Sequence, residues 1–195
     1  TGLARALRID QTAAAEAGDP FHCIAGQALA ALGLEDEALE VLLPGGPLAG
    51  LPVPIKDLTD VAGVRSTQGS PIFKDRVAET SDLVVTHLEC KGGVIYAMSN
   101  TPEFGAGAHT FNDVFGVTRN PYDTTRTAGG SSGGAAAALA ARMVSVADGS
   151  DMMGSLRNPA AFCNVYGFRP SYGLVPSDAV GDTFMATLAT EGPMA

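Results

Sequence analysis

Residues 129–134 read Gly-Gly-Ser-Ser-Gly-Gly, and the chain then runs Ala-Ala-Ala-Ala-Leu-Ala-Ala-Arg-Met-Val to residue 144. Such a run must form a tight loop with demanding backbone geometry, because glycine reaches conformations closed to other residues. The segment 135–144 after it predicts a helix built from small side chains. Glycine is common throughout, 24 of 195 residues, or about 12% against an average near 7%. The glycines cluster, so the chain contains several constrained loops.

The length suits one domain, or at most one and a half. A chain of this size can bury about 70% of its unfolded surface. Apolar residues make up 46% and charged residues 17%, a globular composition that excludes wholesale disorder. No stretch of about 18 uninterrupted apolar residues occurs, so a membrane span is not expected. The first residues, Thr-Gly-Leu-Ala-Arg, lack a basic-then-apolar signal pattern. Acidic residues outnumber basic ones 21 to 12, for a net charge of -9. Such a surface repels phosphate backbones and disfavours general nucleic-acid binding. Cys23, Cys90 and Cys163 are widely spaced and form no CxxC pair, which gives no support to a zinc site or redox motif. Isolated cysteines in an acidic chain lead us to expect a reducing cytoplasm.

Along the chain, the Ala-rich residues 1–20 suit a helix or a frayed start. Residues 24–43 predict a helix, with Leu29, Leu32, Leu39 and Leu43 near helical spacing. Pro44, Gly45, Gly46 and Pro47 would end it. Residues 48–57 form a short apolar run whose two prolines argue for an edge strand or an extended lead into a site. Residues 81–91 predict a helix capped by Ser81 and stopped by Gly92 and Gly93, followed by a buried strand at 94–98. A loop opens at Asn100, and 110–130 is polar and turn-rich. A short strand at 144–147 is expected to turn at 148–151 (Asp-Gly-Ser-Asp). No closing element is evident at the final Thr-Glu-Gly-Pro-Met-Ala, so the domain looks cut short. Helices alternating with strands suggest an α/β layered domain.

Candidate chemistry begins with what is scarce. The three histidines, His22, His87 and His109, all precede the Gly/Ser run and show no metal-ligand spacing. His87 sits mid-helix, where a structural role is favoured, and His109 lies in a Gly/Ala-rich loop. Residues 130–134 formally match the G-x-S-x-G nucleophile elbow. That elbow needs an apolar strand before it and, in hydrolase order, a histidine after it. Neither is present. A phosphate cradle would need a Gly-Lys-Ser/Thr ending or G-x-G-x-x-G, and both are missing. Of the lysines, Lys74 and Lys91 have charged neighbours, whereas Lys56 follows Leu-Pro-Val-Pro-Ile. An ordinary lysine is only about 0.04% neutral at pH 7. Burial without a strong counter-charge favours the neutral amine, which can act as a general base. A snorkelling lysine paired with Asp57 is an equal alternative on local grounds. Ser155 follows a glycine in a turn, where successive amides can converge into an oxyanion hole. Taken alone, a helix-capping serine before Asn-Pro-Ala is the stronger reading.

Four ordered segments change that balance. LAGLPVPIKDLTDVAGVRSTQGS (48–70), SNTPEFG (99–105), GVTRNPYDTTRTAGGSSGGAAAALA (116–140) and DGSDMMGSLRNPAAFCNVYGFRPSYG (148–173) together resemble the amidase signature family. The resemblance runs from about residue 48 to the C-terminus. It implies an α/β/α sandwich with a mixed central sheet, incomplete in this chain. Residues 1–47 would form an N-terminal helical segment and 48–195 the N-terminal part of the catalytic domain. It also implies a Ser-cisSer-Lys triad: Lys56, Ser131 after a cis peptide bond, and Ser155 as nucleophile. The family spaces its two serines 24 positions apart, as Ser131 and Ser155 are here.

By the same resemblance, the amides of Met152, Met153 and Gly154, with that of Ser155, would form the oxyanion hole. Ser132, Asp151 and Arg157 would brace the triad or its loops, Arg157 alternatively meeting a substrate carboxylate. Asn100 would border the substrate pocket. The implied activity is hydrolysis of a small-molecule carboxamide through an acyl-enzyme on Ser155, with no cofactor and no metal. A homodimer is left open. The alternatives are a non-catalytic scaffold and an amidotransferase component that generates ammonia. One departure is Met153, where the family commonly has glycine. A positive φ there would strain methionine; otherwise two methionines would line the acyl pocket.

Overall fold

The computed structural model describes residues 47–48, 50–177 and 187–195. The helices expected within 1–43, with His22 and Cys23, lie outside these residues, as does nearly all of the expected segment 1–47. Two strand pairs organise the fold. β1 (Pro52–Lys56) runs parallel to β2 (Val94–Ser99), and β7 (Ala147–Asp151) runs antiparallel to β8 (Thr190–Met194). α1 (Leu83–Cys90) lies between β1 and β2, and two small hairpins and α2 (Gly133–Ala140) lie between β2 and β7. The hairpins are β3 (Phe111–Asn112) with β4 (Gly116–Val117), and β5 (Arg119–Asn120) with β6 (Asp123–Thr127). α3 (Arg157–Phe162) follows β7. Among the described residues, no helix is long and apolar enough to cross a membrane.

The prolines of β1 explain its position. All five residues are buried, yet the strand pairs through one edge only. The Leu51 carbonyl and the Asp57 amide both bond to the β2 side, so the amides at 52, 54 and 56 face the opposite edge. Two of these are prolines with no N–H. The third, the Lys56 amide, donates to the Asp148 carboxylate of β7 at 2.6 Å. β1 is thus an edge strand in bonding and an interior strand in packing.

Side-chain alternation then separates two layers. Val53 and Ile55 pack with Val61 and with Val85 of α1. Lys56 points the other way, toward the Gly/Ser loop and the start of α2. On that side Ala135, Ala136 and Leu139 of α2 pack with Ala147, Leu156, Ala160, Cys163 and Met194. Helices therefore cover both faces of a mixed strand layer, an α/β arrangement.

Several local expectations shift. α1 begins after Asp82, not Ser81; the Ser81 hydroxyl instead accepts the Ala62 amide at 2.9 Å. It stops as expected, with Gly92 at φ 88° and the Gly93 amide bonded to the Leu88 carbonyl. β2 is half-buried over most of its length rather than buried. α2 starts two residues earlier than expected and ends at Ala140, with Arg142 in the left-handed region. The largest shift is at 147–151, where a turn-like sequence is a strand. Its pairing with 190–194 overrides local turn preference, and that same pairing supplies the closing element not evident at the chain's end.

α2 can lie close to β2 because of Gly134. A Cβ there would collide with the backbone nitrogen and oxygen of Asn100, and the Gly134 amide donates to the Asn100 carbonyl at 3.1 Å. Gly134→Ala is expected to destabilise the protein by about 1–3 kcal/mol through overpacking, read as a lower urea midpoint. An unchanged midpoint would mean that the Asn100 backbone moves aside.

Candidate active site

Lys56 ends β1 with no exposed surface. Its Nζ lies 2.7 Å from Ser131 Oγ, 3.0 Å from Ser132 Oγ and 2.8 Å from Ser150 Oγ. Asp57 does not pair with it: that carboxylate accepts the Thr67 amide at 2.8 Å and the Thr67 hydroxyl. Burial pushes Lys56 below the ordinary lysine range, against the pull of Glu191, Asp148 and Asp151.

The Gly130–Ser131 peptide is cis. The loop is pinned by Thr110, whose hydroxyl donates to the Gly129 carbonyl at 2.9 Å and accepts the Gly133 amide at 3.1 Å. Ser132 ties three segments together. Its amide donates to the Ser155 carbonyl at 2.9 Å, and its hydroxyl accepts the Ser150 amide at 3.2 Å and donates to the Ser150 carbonyl at 3.4 Å. That hydroxyl proton is therefore committed to β7, and Ser132 can only accept from Lys56. A neutral lysine has two protons to donate and one lone pair. With Ser132 excluded as donor, the lone pair must take its proton from Ser131 or Ser150.

Asp151 shapes the nucleophile loop. Fully buried, it accepts the amides of Gly154 at 2.9 Å and of Leu156 and Arg157 at 3.2 Å. Arg157 holds it bidentately at 2.9 and 3.0 Å, and Arg169 lies 3.2 Å away. Burial by itself would raise its pKa. Arg157 and the three amides outweigh that and hold the carboxyl well below its usual range. Arg157 is thus turned to Asp151 rather than to a substrate carboxylate.

Ser155 stands in the bend before α3. It faces a cavity of about 940 Å³ shared with Gly130, Ser131, Ser150, Met152 and Met153. Its hydroxyl bonds to no described residue. Met153 is not in the left-handed region; Gly154 is, at φ 104°. The methionine is unstrained and lines the cavity. The Gly154 amide, expected in the oxyanion hole, is already engaged by Asp151. The amides of Met152, Met153 and Ser155 bond to no described residue.

Other expected residues fall elsewhere. Asn100 does not line this cavity. Its side chain bonds Thr118 at 2.9 Å and Asn112 at 2.7 Å and braces the loop after β2. His87 is exposed on α1, and the His109 ring meets Thr127 at 3.2 Å. A strand, β6, does precede the Gly/Ser loop, but it is polar and largely exposed.

Three residues escaped sequence reading: Ser150, Asp148 and Glu191. All sit on β7 and β8, where a turn and an unclosed end were expected. A strand reading of 147–151 would have put Asp148 and Ser150 on one face. Burial pushes Asp148 up to about 6 despite the Lys56 amide and charge. It also raises Glu191, with Asp148 adding to the effect and Lys56 opposing it.

Comparison with known proteins follows the same lines. The amidase family model matches residues 6–195, reaching well ahead of residue 48. The chain is 43% identical over 159 residues to a glutamyl-tRNA(Gln) amidotransferase subunit of Thermus thermophilus, covering 82% of this chain and 34% of that protein. The structure of 6-aminohexanoate cyclic dimer hydrolase complexed with substrate superposes with a TM-score of 0.77 at 31% identity, over 90% of this chain and 40% of that one. A bacterial aryl acylamidase of the amidase signature enzymes superposes with a TM-score of 0.74 at 36% identity, over 87% and 35%. The chain spans about a third of the length of the curated relatives it matches. From the Gly/Ser loop to the strand pair that closes behind it, and by a family match along nearly its whole length, this chain belongs to the amidase family, the amidase signature enzymes.

Proposed function

We propose that the protein carrying this chain hydrolyses a small-molecule carboxamide through an acyl-enzyme on Ser155. The observation that carries this reading is a fully buried lysine whose nitrogen lies 2.7 Å from Ser131 Oγ, beside a cavity that Ser131 shares with Ser155. Ser155 Oγ attacks the amide carbonyl and its proton passes to Ser131, whose own proton passes to Lys56. The C–N bond breaks as the proton returns through Ser131 to the leaving nitrogen. Water then repeats the sequence on the ester, freeing the acid and restoring the Ser155 hydroxyl. The amides of Met152, Met153 and Ser155 are the donors available to the carbonyl oxygen as it gains charge, each worth about 10²–10³ in turnover. The free thiols Cys90 and Cys163 suit a reducing cytoplasm.

A second reading is that the ammonia produced is passed to a protein partner. The identity to the Thermus thermophilus glutamyl-tRNA(Gln) amidotransferase protein favours it. Co-purification of a second protein, with glutamine-dependent ammonia release, would decide for it.

Three outcomes test the hydrolytic reading. Ser155→Ala is expected to lose the fluorophosphonate adduct, read by intact mass, and at least about 10³-fold in turnover; retained turnover would sink the assignment. Lys56→Ala is expected to lower kcat/KM about 10²–10⁴-fold near neutral pH, and an unchanged rate would demote Lys56 to a structural role. Because the active form of Lys56 is the neutral amine, kcat/KM should rise with pH through its lowered pKa. It should level off below the ordinary lysine value of about 10.4. A pH–rate profile flat from neutrality upward, or still climbing at that value, would contradict this.

A further inference from the structure

The mechanism above leaves two acids unused, Asp148, which is buried, and Glu191, which is half-buried. Glu191 of β8 is directly opposite Ser150 of β7 in the strand register. Residues paired this way project from the same face with Cβ atoms about 4.5–5.5 Å apart. Asp148, two residues before Ser150, shares that face. The three side chains therefore lie together beside Lys56, which Ser150 contacts through its hydroxyl and Asp148 through the backbone amide. One oxygen of each acid, Asp148 Oδ2 and Glu191 Oε2, is buried without a hydrogen-bond partner among the described residues. A buried carboxylate oxygen lacking a donor is expensive, and the charge of Lys56 acts on both acids.

Resting on the proposed hydrolysis, we propose that the carboxylates of Glu191 and Asp148 set how firmly Lys56 holds a proton, so that it can return to the leaving amine the proton taken from Ser131. Burial alone favours a lysine that sheds its proton. A base that holds a proton too weakly accepts none from Ser131. The best general acid–base has its pKa near the working pH, and two flanking carboxylates move Lys56 back toward it.

Of the remaining charges around the cluster, Asp151 also pulls on Lys56, but less than Glu191 and Asp148, and it is held by Arg157 and Arg169. Asp57 is taken up by Thr67. The Gly/Ser loop and the start of α2 present only the hydroxyls of Ser131 and Ser132. Glu191 also borders the Ser155 cavity, where Asp82, at the start of α1, accepts the Asp60 amide and Arg76 pairs with the Asp60 carboxylate. His87 and Lys91 line a separate apolar cavity of about 420 Å³ that both acids also border. Glu191 and Asp148 act through Lys56 and are positioning residues.

The test is a pH–rate profile of the intact protein and its Glu191→Gln variant, on an ester and an amide of the same acyl group. Removing the carboxylate should move the acid limb of kcat/KM about one pH unit or more toward acid. It should also slow the amide more than the ester, since an ester leaving group needs little protonation. Glu191→Asp, which keeps the charge, should keep the wild-type limb. An unmoved limb in Glu191→Gln, with amide and ester falling together, would overturn the inference. A Ser155 fluorophosphonate adduct in the same sample would leave the hydrolytic reading standing. If Glu191→Gln fails to fold by circular dichroism, Asp148→Asn carries the same two readouts, because Asn retains an acceptor for the Lys56 amide. A wild-type protein with neither adduct nor turnover would sink the hydrolytic reading and this inference with it.

Discussion

Three hydroxyl groups around one buried nitrogen hold this structure together. Ser131, Ser132 and Ser150 reach Lys56 from two segments, and Lys56 arrives on a third. Ser132 only accepts, but Ser131 and Ser150 can each give or receive a proton, so the cage accepts the lysine in either charge state without repacking. A carboxylate in the same place would have locked the charged form. Among the described residues the Lys56 nitrogen instead meets neutral partners at hydrogen-bond distance, with the acids one step further out. That spacing lets a deeply buried lysine remain a base. It also requires β1, the Gly/Ser loop and β7 to dock in one arrangement, because the hydroxyls meet the nitrogen only when all three are in place.

A second polar centre does the opposite work. Asp151 is surrounded by donors: three amides and two guanidinium groups. So many donors keep the carboxylate ionised and fix the backbone that carries Ser155. The two centres stand on one strand, Asp151 next to Ser150, and point to opposite faces. One face of β7 keeps a proton mobile; the other keeps a loop rigid. Gly154 links these demands, since its left-handed φ and its bond to Asp151 together turn the chain toward α3.

Much of this was legible in the sequence where chemistry is local. The proline spacing in 52–54 foretold a strand with one silent edge, and the Gly/Ser run foretold a constrained loop leading into a small-residue helix. Lys56, Ser131 and Ser155 were named by resemblance to a family motif, not by their neighbours; on neighbours alone Lys56 was undecided and Ser155 looked like a cap. What stayed hidden depends on pairing between distant segments. Asp-Gly-Ser-Asp at 148–151 has turn composition, and only its partner at 190–194 makes it a strand. Without that strand Ser150, Asp148 and Glu191 could not be placed on one face. The surroundings of Asn100 are hidden for a related reason: it meets Gly134 and Asn112, which no local pattern ties to it. The Gly154 amide was assigned to the oxyanion hole because nothing in the sequence showed that Asp151 would claim it.

The strand pairing at 190–194 has a consequence for how the protein is made. The contacts around Lys56 span 75 to 94 residues of sequence, and β8 completes the wall behind them only after a further stretch of chain. Synthesis adds roughly 5–20 residues per second. The buried lysine therefore emerges from the ribosome several seconds before the strand that closes over it. During that interval β1 is an apolar, proline-broken segment with its cation facing water, and the prolines at 52 and 54 give a passing strand little to zip onto. The same two residues that keep β1 from pairing with β7 in the finished fold also protect it while it waits.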